Sequence, residues 1–132
     1  VAGIEAAFLF PLMLILLCGA IDTGVALLVN QKLVTSAQTV ADILAREDDV
    51  SDTEFDDAVA AGRLSLMPYT TAGCGVDVAG IQYVGAGAVA TVIWRDTVDT
   101  TENAEILDGA EGLGLQNEGV LGVTARYTHT PY

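Results

Sequence analysis

From Ala6 to Ile21 no charged side chain interrupts the sequence, and apart from Asp22 the apolar character continues through Val29. About 20 residues at roughly 1.5 Å each cross the hydrocarbon core of a bilayer, so this stretch is long enough for a spanning helix. The pattern then changes without a turn signal. Leu33, Ala37, Val40, Ala41 and Leu44 recur at the spacing of one helical face, while Lys32, Gln38, Asp42 and Arg46 lie elsewhere. Neither Gly nor Pro occurs between Val25 and Glu47. The pattern therefore predicts a nearly continuous helix from residue 2 to about 46, roughly 65 Å long at the standard rise. Its first half is expected in lipid or among identical helices, and its second half is expected to lay an apolar stripe on a small domain. Pro11 removes one ladder hydrogen bond and predicts a kink, which spanning helices tolerate when neighbours satisfy the freed backbone groups.

Beyond the helix, "EDDVSDTEFDD" contains Ser51 with Glu54 three residues on, the pattern of a capping box at a helix start. Acids there also suit the positive end of the helix dipole. This second helix should bury Phe55, Val59 and Leu66 and stop before Pro68. Val76 to Val84 and Ala88 to Trp94 are β-rich runs joined by Gly85, Ala86 and Gly87, which predicts a hairpin. In "GVLGVTARYTHT", Val123, Ala125 and Tyr127 alternate with Thr124, Arg126 and Thr128, the mark of a strand with one face on a core. Between the strands, Asp99 to Glu102 carries a capping signal and glycines follow at 109, 112 and 114, so a short helix and then a flexible loop are expected. The fold class is α+β: a long N-terminal hydrophobic helix continuing into an amphipathic helix packed on a small antiparallel β-sheet domain. Residues 1–29 form the hydrophobic membrane or filament-core helix, 30–47 its amphipathic continuation, and 48–132 a soluble α+β globular domain.

Composition sharpens this division. The chain has 132 residues, 52% hydrophobic and 17% charged, and its net charge is −13. No basic patch exists to neutralise phosphates, which argues against nucleic acid as a partner. Cys18 lies in the apolar run and Cys74 in a Gly-flanked loop, so the two are not expected to pair, and Cys74 reads as a buried or tolerated thiol. His129 is the sole histidine, leaving too few soft ligands for zinc. The acids of 47–57 offer oxygens to a cation but lack the Gly and Glu spacing of an EF-hand loop, and no metal site is expected. Tyr127, His129 and Tyr132 read either as an adhesive surface or as a frayed end. No phosphate-binding, dinucleotide or nucleophile-elbow motif occurs in a supporting context. The chain is read as a non-enzyme without a cofactor.

Glu5 stands at the mouth of the apolar run and requires a partner, because a carboxylate in apolar surroundings is costly. The nearest positive group in sequence is the α-amine of Val1, available if Val1 is a processed N-terminus. It reaches Glu5 either within one helix, one turn away, or in an adjacent copy, where the pair would fix axial register. The plain alternative is a carboxylate lying in the headgroup region or protonated. Small residues stand four apart at Ala2/Ala6, Gly3/Ala7 and Ala20/Gly24, which lets helix backbones approach closely and, with Pro11, suggests helix-to-helix assembly; the plain alternative is that Gly and Ala are common in spanning helices anyway.

The absence of an initiating Met, Glu5, and a long apolar helix running into an amphipathic one resemble a mature type IV pilin-like chain. More closely, "GIEAAFLFPLMLILLCGAIDTGVALLVNQKLVTSAQTVADILA" is similar to the TadE-like pilins of tight-adherence (Tad) pilus systems. The resemblance covers about the first third and rests on Glu5, Pro11 and "CGAIDTG" at their offsets. It implies cleavage by prepilin peptidase, residence in an inner membrane, and assembly into, or help in assembling, an extracellular pilus. The partners implied are copies of the chain, other pilins and the inner-membrane assembly machinery. Three readings stay open: a structural filament subunit, a low-copy pilin that primes or tips a filament, and a bitopic anchored binding domain that never polymerises.

Overall fold

A computed structural model describes residues 2–47, 50–69 and 71–128. The first helix, α1 (Ala2–Leu44), is 43 residues long and runs through Pro11 without a break in the element. At about 1.5 Å per residue it extends roughly 65 Å. The predicted helix thus exists and ends two residues early: Ala45 and Arg46 form a turn.

The second helix, α2 (Asp52–Leu64), starts where the capping box places it. Ser51 accepts a bond from the Glu54 N–H, and the Glu54 carboxylate in turn accepts from the Ser51 N–H at 2.9 Å. The Ser51 bonds hold the Glu54 carboxyl below its ordinary pKa. Two adjacent helices joined by a short connection run antiparallel, and the contacts show it. Leu44 shares a core with Phe55, Gly62 lies against Ser36 and Val40, and the Lys32 ammonium donates to the carbonyls of Ser65 and Met67. A Cβ at Gly62 would stand 2.6 Å from Val40 Cγ2, so glycine is what allows the two helices to cross this closely.

Three antiparallel strands, β1 (Cys74–Val84), β2 (Val89–Val98) and β3 (Gly119–Tyr127), form a sheet in the order β2-β1-β3. The hairpin turn falls at the predicted glycines and closes with a bond from the Ala88 N–H to Gly85 O. The pairing shifts register between Gly80 and Ile81, opposite Ile93 of β2. Central β1 is buried on both faces. Val76 and Val78 face the helical hairpin with Trp94, Leu121 and Val123, while Ala79 and Ile81 face a short helix, α3 (Ile106–Ala110). Gly122 allows that approach, since a Cβ there would press on Ile106.

One local expectation fails. Asp99 and Glu102 do not cap α3, whose N-cap is Glu105 with no side-chain bond. Tertiary charge pairing claims both acids instead: Asp99 pairs with Arg63 at 2.6 Å and Glu102 with Arg95 at 3.5 Å. The loop after α3 is also braced, with Gly114 seated on the Tyr83 ring, the Tyr83 hydroxyl donating to Ala110 O, and the Asn117 N–H donating to Tyr83 O.

Candidate functional site

The functional candidate is the first half of α1, because it is the part of the helix that the domain leaves uncovered. Every residue from Ala7 to Ile21 is exposed. Phe8 is 81% exposed and Ile15 70%, and the intervening large side chains point around the whole circumference. A stretch that is apolar on all sides has no face to offer water, so it is stable only inside lipid or among other apolar helices. It is long and apolar enough to cross a membrane.

The transition into the domain is gradual. Asp22 and Val25 are half-covered, Val29 is buried, and Ser36, Val40 and Leu44 complete a buried face at helical spacing. Leu33, Ala37 and Ala41 of the predicted stripe are half-buried, so the stripe is centred on Val29, Ser36, Val40 and Leu44. Ser36 is the polar member that periodicity passed over. It fits because it is small enough for the crossing at Gly62.

Of the residues proposed for assembly, Gly3, Ala7, Pro11, Ala20 and Gly24 are exposed on the projecting helix. A Cβ at Gly3 or Gly24 would meet nothing within 4 Å, so neither glycine is required by the fold of this chain. Ala2, Glu5 and Ala6 belong to α1, but their side chains, with Val1, lie outside what is described. His129 and Tyr132 also lie outside the described residues, whereas Tyr127 is half-buried at the end of β3. Cys18 is exposed on the projecting helix and Cys74 is fully buried. Burial pushes the Cys74 thiol up, against the opposing influence of Arg63.

The charged groups inside the domain act as structure. Arg95 grips Asp77 with two bonds, Nε to Oδ1 at 2.9 Å and Nη2 to Oδ2 at 2.6 Å, and the Asn103 N–H adds a third at 2.7 Å. Burial pushes the Asp77 carboxyl up, but these bonds and the charges of Arg95 and Arg126 outweigh it and hold it below the ordinary value. Asp77 raises the Arg95 guanidinium in return. The sequence signal for this pair was the single acid in "CGVDVAGI", a polar residue on the second face of a strand buried on both sides. Among the described residues, no three His, Cys, Asp or Glu side chains converge on a common point.

With the geometry in view, comparison with known proteins adds one match. Residues 1–42 match the family model described as TadE-like protein. The matched range coincides with the projecting helix and nearly all of its buried continuation, and leaves the sheet outside. No curated protein and no solved structure matches the chain.

Proposed function

We propose that this chain, whose first 42 residues are a TadE-like segment, is a pilin-like component of a Tad pilus system, and that it assembles as a structural subunit of an extracellular filament for surface attachment. The observation that carries this reading is the uncovered half of α1. Fifteen consecutive exposed residues, Ala7–Ile21, form an apolar rod that continues as the same helix into the α+β domain. Such a rod first anchors the chain in the membrane and then exchanges lipid for the helices of neighbouring copies. Close packing without a hydrophobic drive favours small residues at the contact, and Gly3, Ala7, Ala20 and Gly24 supply them on open surface. Glu5 would neutralise a processed α-amine at Val1, its own or an adjacent copy's, and set axial register. Processing by prepilin peptidase and contacts with other pilins and the inner-membrane assembly machinery complete the proposal.

A second reading is supported by the family match itself: a low-copy TadE-like pilin that primes or tips a filament built from another subunit. Shearing filaments from cells and labelling them with antibody to residues 50–128 separates the two. Continuous label along the shaft is expected for a main subunit. Label confined to one end supports the priming role, and label confined to the membrane fraction leaves an anchored binding domain. Glu5→Ala should leave the domain folded and reduce assembly; normal filaments from that variant would sink the register role.

A further inference from the structure

We propose that the end of the domain from which the projecting helix emerges is a lipid-facing seat, made by Leu64, Met67 and Tyr69 with Lys32, Arg63 and Arg126, which rests on the phospholipid headgroups while the chain is membrane-bound. This rests on the reading of α1 as a spanning helix. The antiparallel hairpin brings the end of α2 down to the level of Lys32, whose ammonium donates to Met67 O at 2.6 Å. Leu64 and Met67, at that end, are 66% and 60% exposed, and Tyr69 is half-buried beside them. Two large apolar side chains and a tyrosine beside a helix leaving a membrane are what an interfacial layer accommodates.

Charge is distributed in the same sense. No acid occurs from Ala58 to Val76 in a chain with 18 acids, and this is the segment that turns at the seat. Arg63 bonds Cys74 O at the start of β1, and Arg126 lies near the end of β3 beside Thr101, so with Lys32 three of the five bases gather here. Asp99, at the same end, pairs with Arg63, so Lys32 and Arg126 carry the excess positive charge there. The acids of 47–57 precede and open α2 at the opposite end of the helical hairpin and those of 105–118 belong to α3 and the loop after it, while Glu102, next to Thr101, is paired with Arg95. These few bases do not make a patch that neutralises phosphates, but anionic headgroups repel the acidic remainder more than this end, which orients the domain.

The lengths agree. With Glu5 at the far boundary, a hydrocarbon core of about 30 Å takes about 20 residues and ends near Val25, a turn beyond Asp22. The headgroup layer adds roughly 5 to 7 Å, about four residues of helix, and so reaches Val29. Val29 is where the domain first buries the helix.

The test uses the full chain carrying Cys18→Ser, with the buried Cys74 retained, in vesicles of phosphatidylethanolamine and phosphatidylglycerol. An environment-sensitive fluorophore is attached through Met67→Cys, Leu64→Cys, Ile15→Cys or Leu115→Cys, and quenched by lipids bearing a nitroxide at the headgroup or deep in the chain. Leu115 sits on the loop beside Tyr83, at the other end of β1. The expected result is headgroup quenching at 67 and 64 several-fold stronger than at 115, with deep quenching at 15. Deep quenching at 15 with positions 67 and 64 no more quenched than 115 overturns the seat and leaves the spanning helix intact. No deep quenching at 15 overturns both. Disulfide crosslinking of copies through the unlabelled Met67→Cys thiol, with no quenching of the labelled one, assigns the face to a second copy and overturns the lipid seat.

Discussion

The two halves of α1 share one backbone and one hydrogen-bond ladder but differ in what surrounds them. From Ala7 to Ile21 every side chain is exposed, whereas from Val29 to Leu44 one face is buried to a few per cent exposure or less. Nothing in the local conformation makes this difference; the domain does, by closing α2 and the sheet around the second half only. The lesson is that helix formation and helix burial are separate decisions in this chain. One half has its partners built in, and the other must find them in lipid or in other apolar helices. Substitutions that damage the folded unit should therefore leave the projecting half untouched, and the reverse.

The largest expected effect lies in the folded unit, at its internal ion pair. Asp77 is fully buried and depends on Arg95, so Arg95→Ala should cost about 3 to 5 kcal/mol, the range for stripping one partner from a buried pair. Urea unfolding of the full chain in micelles, followed by Trp94 emission, measures it. The pH dependence has a definite sign. Because the folded Asp77 carboxyl is held below its unfolded value of about 3.9, the stability it contributes is complete above that pH and is lost as pH falls through the folded value. In Arg95→Ala, burial instead favours the neutral acid, so the stability gap between variant and parent should narrow as pH falls towards about 4, where the variant recovers, and further below it, where the parent loses its pair. A gap that stays constant from neutral pH into that range would mean that Asp77 is not what Arg95 holds.

That pair also marks the limit of what the sequence disclosed. The helix, its change from all-round apolar to one-sided, the capping box at Ser51 and Glu54, and the hairpin at Gly85 to Gly87 were legible because each depends on neighbours within a turn or two. The long-range partnerships were not. Asp99 and Glu102 presented a capping signal, yet they serve Arg63 and Arg95 across the fold. The spacing places Lys32 only off the apolar face, yet it satisfies carbonyls beyond the end of α2. Periodicity reports which side of an element is apolar, not which distant group arrives opposite it. The glycines proposed for helix packing stand apart from both groups: Gly3 and Gly24 meet nothing in this chain, so no tertiary contact explains them.

A matched pair of leucines tests the contrast along the helix directly. Leu44 is 2% exposed and Leu14 45%. Leu44→Ala should cost roughly 2 to 4 kcal/mol in the same unfolding assay, as a large-to-small change in a packed core. Leu14→Ala should leave that transition within about 0.5 kcal/mol, as substitutions away from packed features do. Comparable losses at both positions would show that the projecting half is packed within the monomer and would break the comparison.

The smallest effect is the most discriminating, because one substitution should lower stability at one glycine and leave it unchanged at another. In a helix interior Ala is favoured over Gly by about 0.5 to 1 kcal/mol. At Gly62 the added Cβ would stand 2.6 Å from Val40 Cγ2 and 3.1 Å from Ser36 O, so one helix must shift against the other. Overpacking of this kind costs about 1 to 3 kcal/mol, enough to outweigh the propensity gain and leave Gly62→Ala destabilised. At Gly24 the same Cβ meets nothing. Gly24→Ala should therefore keep the domain's unfolding midpoint and act, if Gly24 is a helix-packing position, on filament yield alone. A drop in yield without a change in midpoint places that glycine's partner in another chain. A lowered midpoint would place it in this one, and the division between a self-sufficient half and a partner-seeking half would not hold at its boundary.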